Sequence, residues 1–273
     1  MQRVLSVLFL LLTAITSARG QESFGIAYYD VDGLYDSTPS QFYNDSDYTP
    51  KGRFHWDENR YNTKVQNIAQ VVDSLALSVV ILYGIENESV VRDIVSASKE
   101  DYAYIHRQSD SRDGLDFAVL YFGDRLFIDR IIEWRGALCV DGSIGHTPLT
   151  IIANHRSQSL GVMMEEYDLL REDKNIVILG YPNRMNFDRY DMHDATLAAE
   201  HQGRGNQLSQ GRWLMRDRIA TNFRWQGHCN VYIKSWLLDE KGAPKATFDK
   251  TKYRGGYSKY LPVFIYFREI LEN

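Results

Sequence analysis

The sequence predicts an α/β fold in which strands dominate, a layered sandwich of sheets between helices. Three observations carry this expectation. Two early segments repeat apolar residues at helical spacing, and from residue 116 onward the apolar runs are short, strand-like and bounded by Gly, Asp and Asn. No linker, internal repeat or low-complexity tract divides the chain, so 273 residues with 44% hydrophobic content bury one sizeable core.

The first twenty residues, MQRVLSVLFLLLTAITSARG, join a basic Arg3, an apolar run from Val4 to Leu12 and small residues ahead of Gln21. That three-part pattern is a secretory signal peptide, with Ala18 and Gly20 suited to its cleavage site, and the apolar run is too short to span a bilayer. The expected mature chain is therefore residues 21–273, a single domain, periplasmic or secreted and without a transmembrane segment. FGIAYYDV (24–31) reads as the first strand, followed by a polar loop rich in turn residues (36–52). In residues 58–75, Tyr61, Val65, Ile68, Val72 and Leu75 recur at helical spacing behind Asp57, an N-cap residue. SVVILYG (78–84) reads as a strand and ESVVRDIVSAS (88–98) as a second amphipathic helix. DFAVLYF (116–122), RLFIDRIIEW (125–134), TPLTIIANH (147–155), NIVILG (175–180), NVYIKSWLL (230–238) and LPVFIYF (261–267) read as strands, with a helix at LGVMMEEYDLLRE (160–172).

Loss of the leader leaves 29 basic and 36 acidic residues, a formal charge of −7. That balance argues against broad binding to a nucleic-acid backbone, which takes clustered Lys and Arg. It is compatible with a metal-dependent phosphoesterase, whose site is itself rich in carboxylates. Cys139 and Cys229, in an exported chain, allow one disulfide or two buried free thiols.

Several short segments then fall in one order: YDVDGLYD (29–36), YTPKGRFHWDENRYNTK (48–64), IEN (85–87), DGLDFAVLY (113–121), ANHRS (153–157), GYPN (180–183), RDRI (216–219) and GYSKYLPV (256–263). In that order and at those separations the chain resembles the endonuclease/exonuclease/phosphatase superfamily, with its deoxyribonuclease-I-like fold, over residues 24–270. It looks closest to the exported bacterial branch, whose first strand carries Tyr-Asn-Val-Glu-Asn-Leu-Phe-Asp. The resemblance implies a four-layered sandwich of two mixed, mainly antiparallel sheets flanked by helices. It also implies Mg²⁺ held by carboxylate oxygens, a histidine oriented by an aspartate to activate water, and a second histidine and asparagines that stabilise the transition state.

Carried over residue by residue, that machinery is degenerate. The strand-one asparagine is Asp30, and the metal-binding glutamate position is Gly84, two residues before Glu86. His155 is retained after Asn154. The Gly-Asp-x-Asn motif has become GYPN, with Tyr181 for the aspartate and Asn183 surviving. Asp217 stands for the aspartate of the penultimate strand. In the last motif, Lys259 replaces the aspartate and Tyr260 the histidine. Lysine cannot accept a hydrogen bond from histidine, and a tyrosine with a pKa near ~10 is a poor base at neutral pH.

His155, Asn183 and Asp217 are thus family remnants at the catalytic positions, and Asp30 and Asp217 the candidate ligands if a metal binds at all; otherwise no cofactor is expected. Each has a plainer reading: His155 as a hydrogen-bonded structural histidine, Asn183 as a turn former, and Asp30, Asp32 and Gly33 as a turn that fails the EF-hand spacing. His193 and His201 stand eight apart, too far for one zinc ion. The Arg- and aromatic-bearing stretch 183–217 reads either as a recognition surface or as a solvated insertion loop. Three functions follow: a non-catalytic pseudoenzyme that binds a ligand or protein at the cleft or the 183–217 region, a Mg²⁺-dependent phosphodiesterase or nuclease with a rebuilt site, or a structural component of the cell envelope. Lys259 is expected to occupy the charge role of the lost metal, with Asp30 or Asp217 as its partner.

Overall fold

The computed structural model describes residues 23–108, 113–157, 160–169, 174–182 and 186–271. The leader, with its cleavage site, and Asn183 lie outside the described residues. The first half of the chain forms β1 (Phe24–Leu34), α1 (Glu58–Leu75), β2 (Val79–Ile85), α2 (Glu88–Ala97), β3 (Ala103–His106) and β4 (Asp116–Tyr121). The second contributes β5 (Phe127–Trp134), β6 (Ala137–Ile144), β7 (Thr147–His155), α3 (Leu160–Glu166), β8 (Ile176–Tyr181), β9 (His193–Asp194), α4 (Leu197–His201), the hairpin β10 (Gln207–Ser209) and β11 (Arg212–Leu214), β12 (Arg218–Thr221), β13 (Arg224–Val231), the small hairpin β14 (Phe248–Asp249) and β15 (Lys252–Tyr253), and β16 (Val263–Leu271).

Two mixed six-stranded sheets result, in the orders β13-β16-β1-β2-β4-β3 and β5-β6-β7-β8-β12-β9. Their facing sides share one core, and period-two alternation sorts the residues. Val140, Ile151, Val177 and Leu179 point to the core between the sheets. Their neighbours Cys139, Ile152, Ile176 and Ile178 point to the outer face, where Met163 and Met164 of α3 cover them. β1 is buried along nearly its whole length, as a central strand between layers should be. The four-layered α/β sandwich expected from the sequence is the fold.

The helices start and stop where local chemistry dictates. The Asp57 side chain accepts from the Arg60 N–H at 2.9 Å, and Ala76 closes α1 in the left-handed region. Tyr61, Val65, Ile68, Val72 and Leu75 form its buried stripe. Asn87 caps α2 through the Val90 N–H.

Two expectations need correction or completion. NVYIKSWLL is not one strand: β13 ends at Val231, paired with Val263, and Ser235–Leu237 is a 3-10 turn. Beyond that pair the Tyr232 N–H still donates to the Pro262 carbonyl at 2.7 Å, but Pro262 has no N–H to return, and the paired strands go no further. Cys139 and Cys229 are both buried and free, one on the outer face of the second sheet and the other in the core between the sheets. Burial pushes both thiols up, Cys139 to about 12. Among the described residues no helix is long and apolar enough to cross a membrane.

Candidate functional site

The site lies where the two parallel strand pairs end. In the second sheet, β7 and β8 run in register to their tips, so Asn154 faces Gly180 and His155 faces Tyr181. In the first, β1 pairs with β2 as far as Asp30 opposite Tyr83, after which the register shifts. Residues 32 and 33 there take φ of 56° and 75°, and Gly84 takes φ of 92°. The turn is fastened from both sides: the Asp32 N–H donates to Asp30 Oδ1 at 2.9 Å, Lys64 Nζ donates to the Gly33 carbonyl at 2.8 Å, and Ser258 Oγ donates to the Asp30 carbonyl at 2.7 Å. Burial pulls the Lys64 ammonium down to about 8.

Between the sheets' ends sits Arg216, which the sequence motifs did not single out. Its guanidinium pairs with Asp30 Oδ2 at 3.0 Å and with Asp217 Oδ1 at 2.7 Å, and the side chain is only 9% exposed. Asn206, fully buried, organises this corner: its Oδ1 accepts the N–H groups of Arg216 and Asp217 at 2.9 and 3.1 Å, and its Nδ2 donates to Asp217 Oδ2 at 2.6 Å. The guanidinium stacks 4.0 Å from the Tyr260 ring centre and 4.7 Å from that of Tyr181. Burial pushes the carboxyl of Asp217 up to about 7 and that of Asp30 up as well, with Arg216 opposing both; despite its own burial, the two carboxylates hold Arg216 above its ordinary range.

His155 stacks flat on Tyr83, with ring centres 3.7 Å apart, and its Nδ1 lies 3.4 Å from the Tyr28 hydroxyl and 4.0 Å from Asp30 Oδ2. Burial first, then the charges of Arg216 and Arg156, depress its pKa to about 3. A base whose conjugate acid is that strong takes up no proton near neutral pH. Lys259 does not fill the metal's place. It pairs with Asp32 rather than Asp30 or Asp217, its side chain is about half exposed, and against the pull of burial the Asp32 carboxylate holds the ammonium above its usual value. The cation that pairs with Asp30 and Asp217 is Arg216. The adjacent Arg-Asp of residues 216–217 was the signal for it, but two neighbours on a strand-like run point to opposite faces, which hid their shared role.

The residues present do not fit a divalent cation. Both oxygens of Asp30 and of Asp217 are already engaged by protein donors. A Cβ at Gly84 would meet the Gly33 amide nitrogen at 3.0 Å in a backbone conformation that disfavours side chains. Among the described residues no group of three or more His, Cys, Asp or Glu is arranged to hold a metal ion. His193 and His201 lie exposed on β9 and at the end of α4. Of the 183–217 stretch, the β10–β11 hairpin reaches the site, where Gln207 bridges to Tyr260.

No curated protein matches the chain. Among solved structures, humanized TDP2 of D. rerio superposes with a TM-score of 0.58 at 13% identity, over 90% of this chain and 98% of that one. An endonuclease/exonuclease/phosphatase family protein from Bacteroides thetaiotaomicron gives 0.56 at 13% identity, over 90% and 94%. The mannosyl-6-phosphatase Bt3783 of the same organism gives 0.54 at 13%, over 91% and 100%. These likenesses establish the fold. The sequence profile of the Endonuclease/Exonuclease/phosphatase family matches residues 25–166, which run from β1 through α3 and include the tips of β1, β2 and β7 but not β8; the chain belongs to the endonuclease/exonuclease/phosphatase family.

Proposed function

We infer that the protein is an exported, non-catalytic member of its family, which keeps the sandwich as a binding scaffold and has given up phosphoester hydrolysis. One observation carries the reading: the Arg216 guanidinium lies between Asp30 and Asp217, where metal-assisted hydrolysis would need free carboxylate oxygens. A guanidinium is a permanent cation, but it cannot polarise a phosphoryl oxygen and present a bound water as a metal ion does. The neutral, weakly basic His155 supports the same reading.

The test is calorimetric titration of the mature chain with Mg²⁺ and Mn²⁺, run beside hydrolysis of a generic phosphodiester. Neither binding nor turnover is expected. Mg²⁺-dependent hydrolysis that vanishes in His155→Ala would instead establish the rebuilt-site reading, which the convergence of His155, Asp30 and Asp217 supports. Absence of any ligand at the cleft would favour the envelope-component reading. Export rests on the leader pattern of residues 1–20. Mass spectrometry of the protein from its native host should find an N-terminus near Gln21, and a chain still carrying Met1 rejects export by cleavage.

A further inference from the structure

Along the strand ends runs a row of side chains in which cations and phenols alternate. The Arg156 guanidinium lies 5.1 Å from the ring centre of Tyr181, Arg216 lies 4.7 Å from the same ring and 4.0 Å from Tyr260, and Lys259 Nζ lies 5.1 Å from Tyr260. The three cations differ in what neutralises them. Arg216 is buried between two carboxylates, and Lys259 is bound to Asp32. Arg156 is exposed, and among the described residues no carboxylate stands within ion-pair distance of it.

Arg156 is also held in place. Its backbone takes φ of 60°, a left-handed conformation that non-glycine residues keep where their surroundings over-determine it. The Arg156 N–H and the Asn154 Nδ2 both donate to the Tyr181 carbonyl at 3.0 Å, and the Ser157 N–H donates to Asn154 Oδ1 at 3.2 Å. A guanidinium resting on an aromatic ring keeps its in-plane N–H fork available, the geometry that takes two oxygens of one anion at once. Its charge already reaches inward, since it is one of the causes that depress His155.

We propose that Arg156, backed by Tyr181, forms a metal-independent oxyanion site that takes the terminal phosphate or carboxylate group of a ligand. This rests on the non-catalytic reading of the cleft, because a site built around a divalent cation would receive the anion through the metal. The guanidinium fork gives direction, and the fixed backbone lowers the ordering cost of binding.

The experiment is a titration of the mature chain in EDTA with inorganic phosphate and, separately, with acetate, following the arginine Nε–Hε NMR signals and the heat. A saturable shift of the Arg156 signal is expected. Arg156→Gln should weaken binding about tenfold or more, and Arg156→Lys should weaken it less, since charge remains without the fork. Thermal melting should be the same in all three proteins, so that loss of binding is not loss of fold. Tighter binding of phosphate assigns the ligand to the phosphate esters, and tighter binding of acetate to the acidic sugars or peptides; both sustain the proposal. No saturable binding of either anion in EDTA, or binding that Arg156→Gln leaves intact, overturns it while the non-catalytic reading stands. Binding that appears only with Mg²⁺ and is followed by hydrolysis overturns both.

Discussion

The two parallel strand pairs, β1/β2 in one sheet and β7/β8 in the other, point their tips at the same place and end differently. β7 and β8 keep register from Thr150 opposite Ile176 to His155 opposite Tyr181. Their tips therefore deliver successive side chains to the rim, with Arg156 outermost and exposed. β1 and β2 lose register after Asp30, and the Asp-Gly turn folds its own backbone over Gly84. The consequence is a closed half and an open half. The first sheet supplies Asp30, a buried carboxylate whose two oxygens are taken by the Asp32 N–H and by Arg216 reaching over from the entry to β12, and β7 and β8 supply a guanidinium and a phenol that reach the solvent.

The largest effect should come from the cation that closes the first half. Arg216→Met leaves Asp30 and Asp217 buried without the guanidinium that pairs with both, a loss of about 3–5 kcal/mol at neutral pH by urea denaturation. Part of it should return as pH is lowered. Both carboxyls are already raised by burial, and without Arg216 they rise further, so the folded variant binds protons that the unfolded chain does not and gains stability as pH falls from neutrality toward ~4. A Met variant as stable as the parent at pH 7 would mean that the three side chains do not form a buried network.

Next in size is Gly84. Gly84→Glu restores the residue type that the resemblance assigns there, yet the backbone has φ of 92° and the new Cβ would sit 3.0 Å from the Gly33 nitrogen. The variant should lose roughly 1–3 kcal/mol and gain no Mg²⁺ affinity by calorimetry. Recovery of metal binding would show that the turn at residues 32–33 can move aside, and the contrast between closed and open halves would weaken.

Those two positions also mark how far the sequence was legible. The core strands, the α1 stripe and its Asp57 cap could be read because period-two and helical repeats are local signals, set by which face meets the core. The motif segments that carry Tyr83–Gly84, His155–Tyr181 and Tyr260 do meet at one place, because each sits at or beside the end of a strand. The role of Arg216 could not be read, since it depends on Asn206 turning residues 216 and 217 toward Asp30 across the gap between sheets. Nor could the partner of Lys259, because Asp32 became available only through a backbone turn with positive φ. NVYIKSWLL misled by composition: its apolar content suits a strand, but its would-be partner begins only after a proline.

The third prediction contrasts the halves by pH. His155 belongs to the open pair but leans on Tyr83 of the closed one, and its pKa of about 3 lies far below that of an unfolded imidazole. The folded chain refuses a proton that the unfolded chain accepts below ~6.5, so stability is lost as pH falls through that value, by as much as about 2 kcal/mol at pH 5. His155→Gln should flatten this part of the profile in urea melts collected from pH 7.5 to 5. An unchanged slope would mean that His155 titrates like an exposed histidine and is free to act as a base.

The smallest effect is expected at Lys259, and its smallness is informative. If this ammonium had inherited the metal's place, its removal would cost as much as that of Arg216, because the same buried carboxylates would be orphaned. Instead its side chain is about half exposed and its partner Asp32 about a quarter exposed, so water and salt screen the pair. Lys259→Ala should cost only about 0.2–1 kcal/mol, and raising the ionic strength should shrink the difference further. Arg216→Met should be far less sensitive to salt, since its carboxylates lie where counter-ions do not reach. Denaturation of both variants at low and high salt measures the two halves on one scale. A Lys259→Ala loss near that of Arg216→Met, unchanged by salt, would return the lysine to the centre of the site and make the guanidinium the peripheral charge.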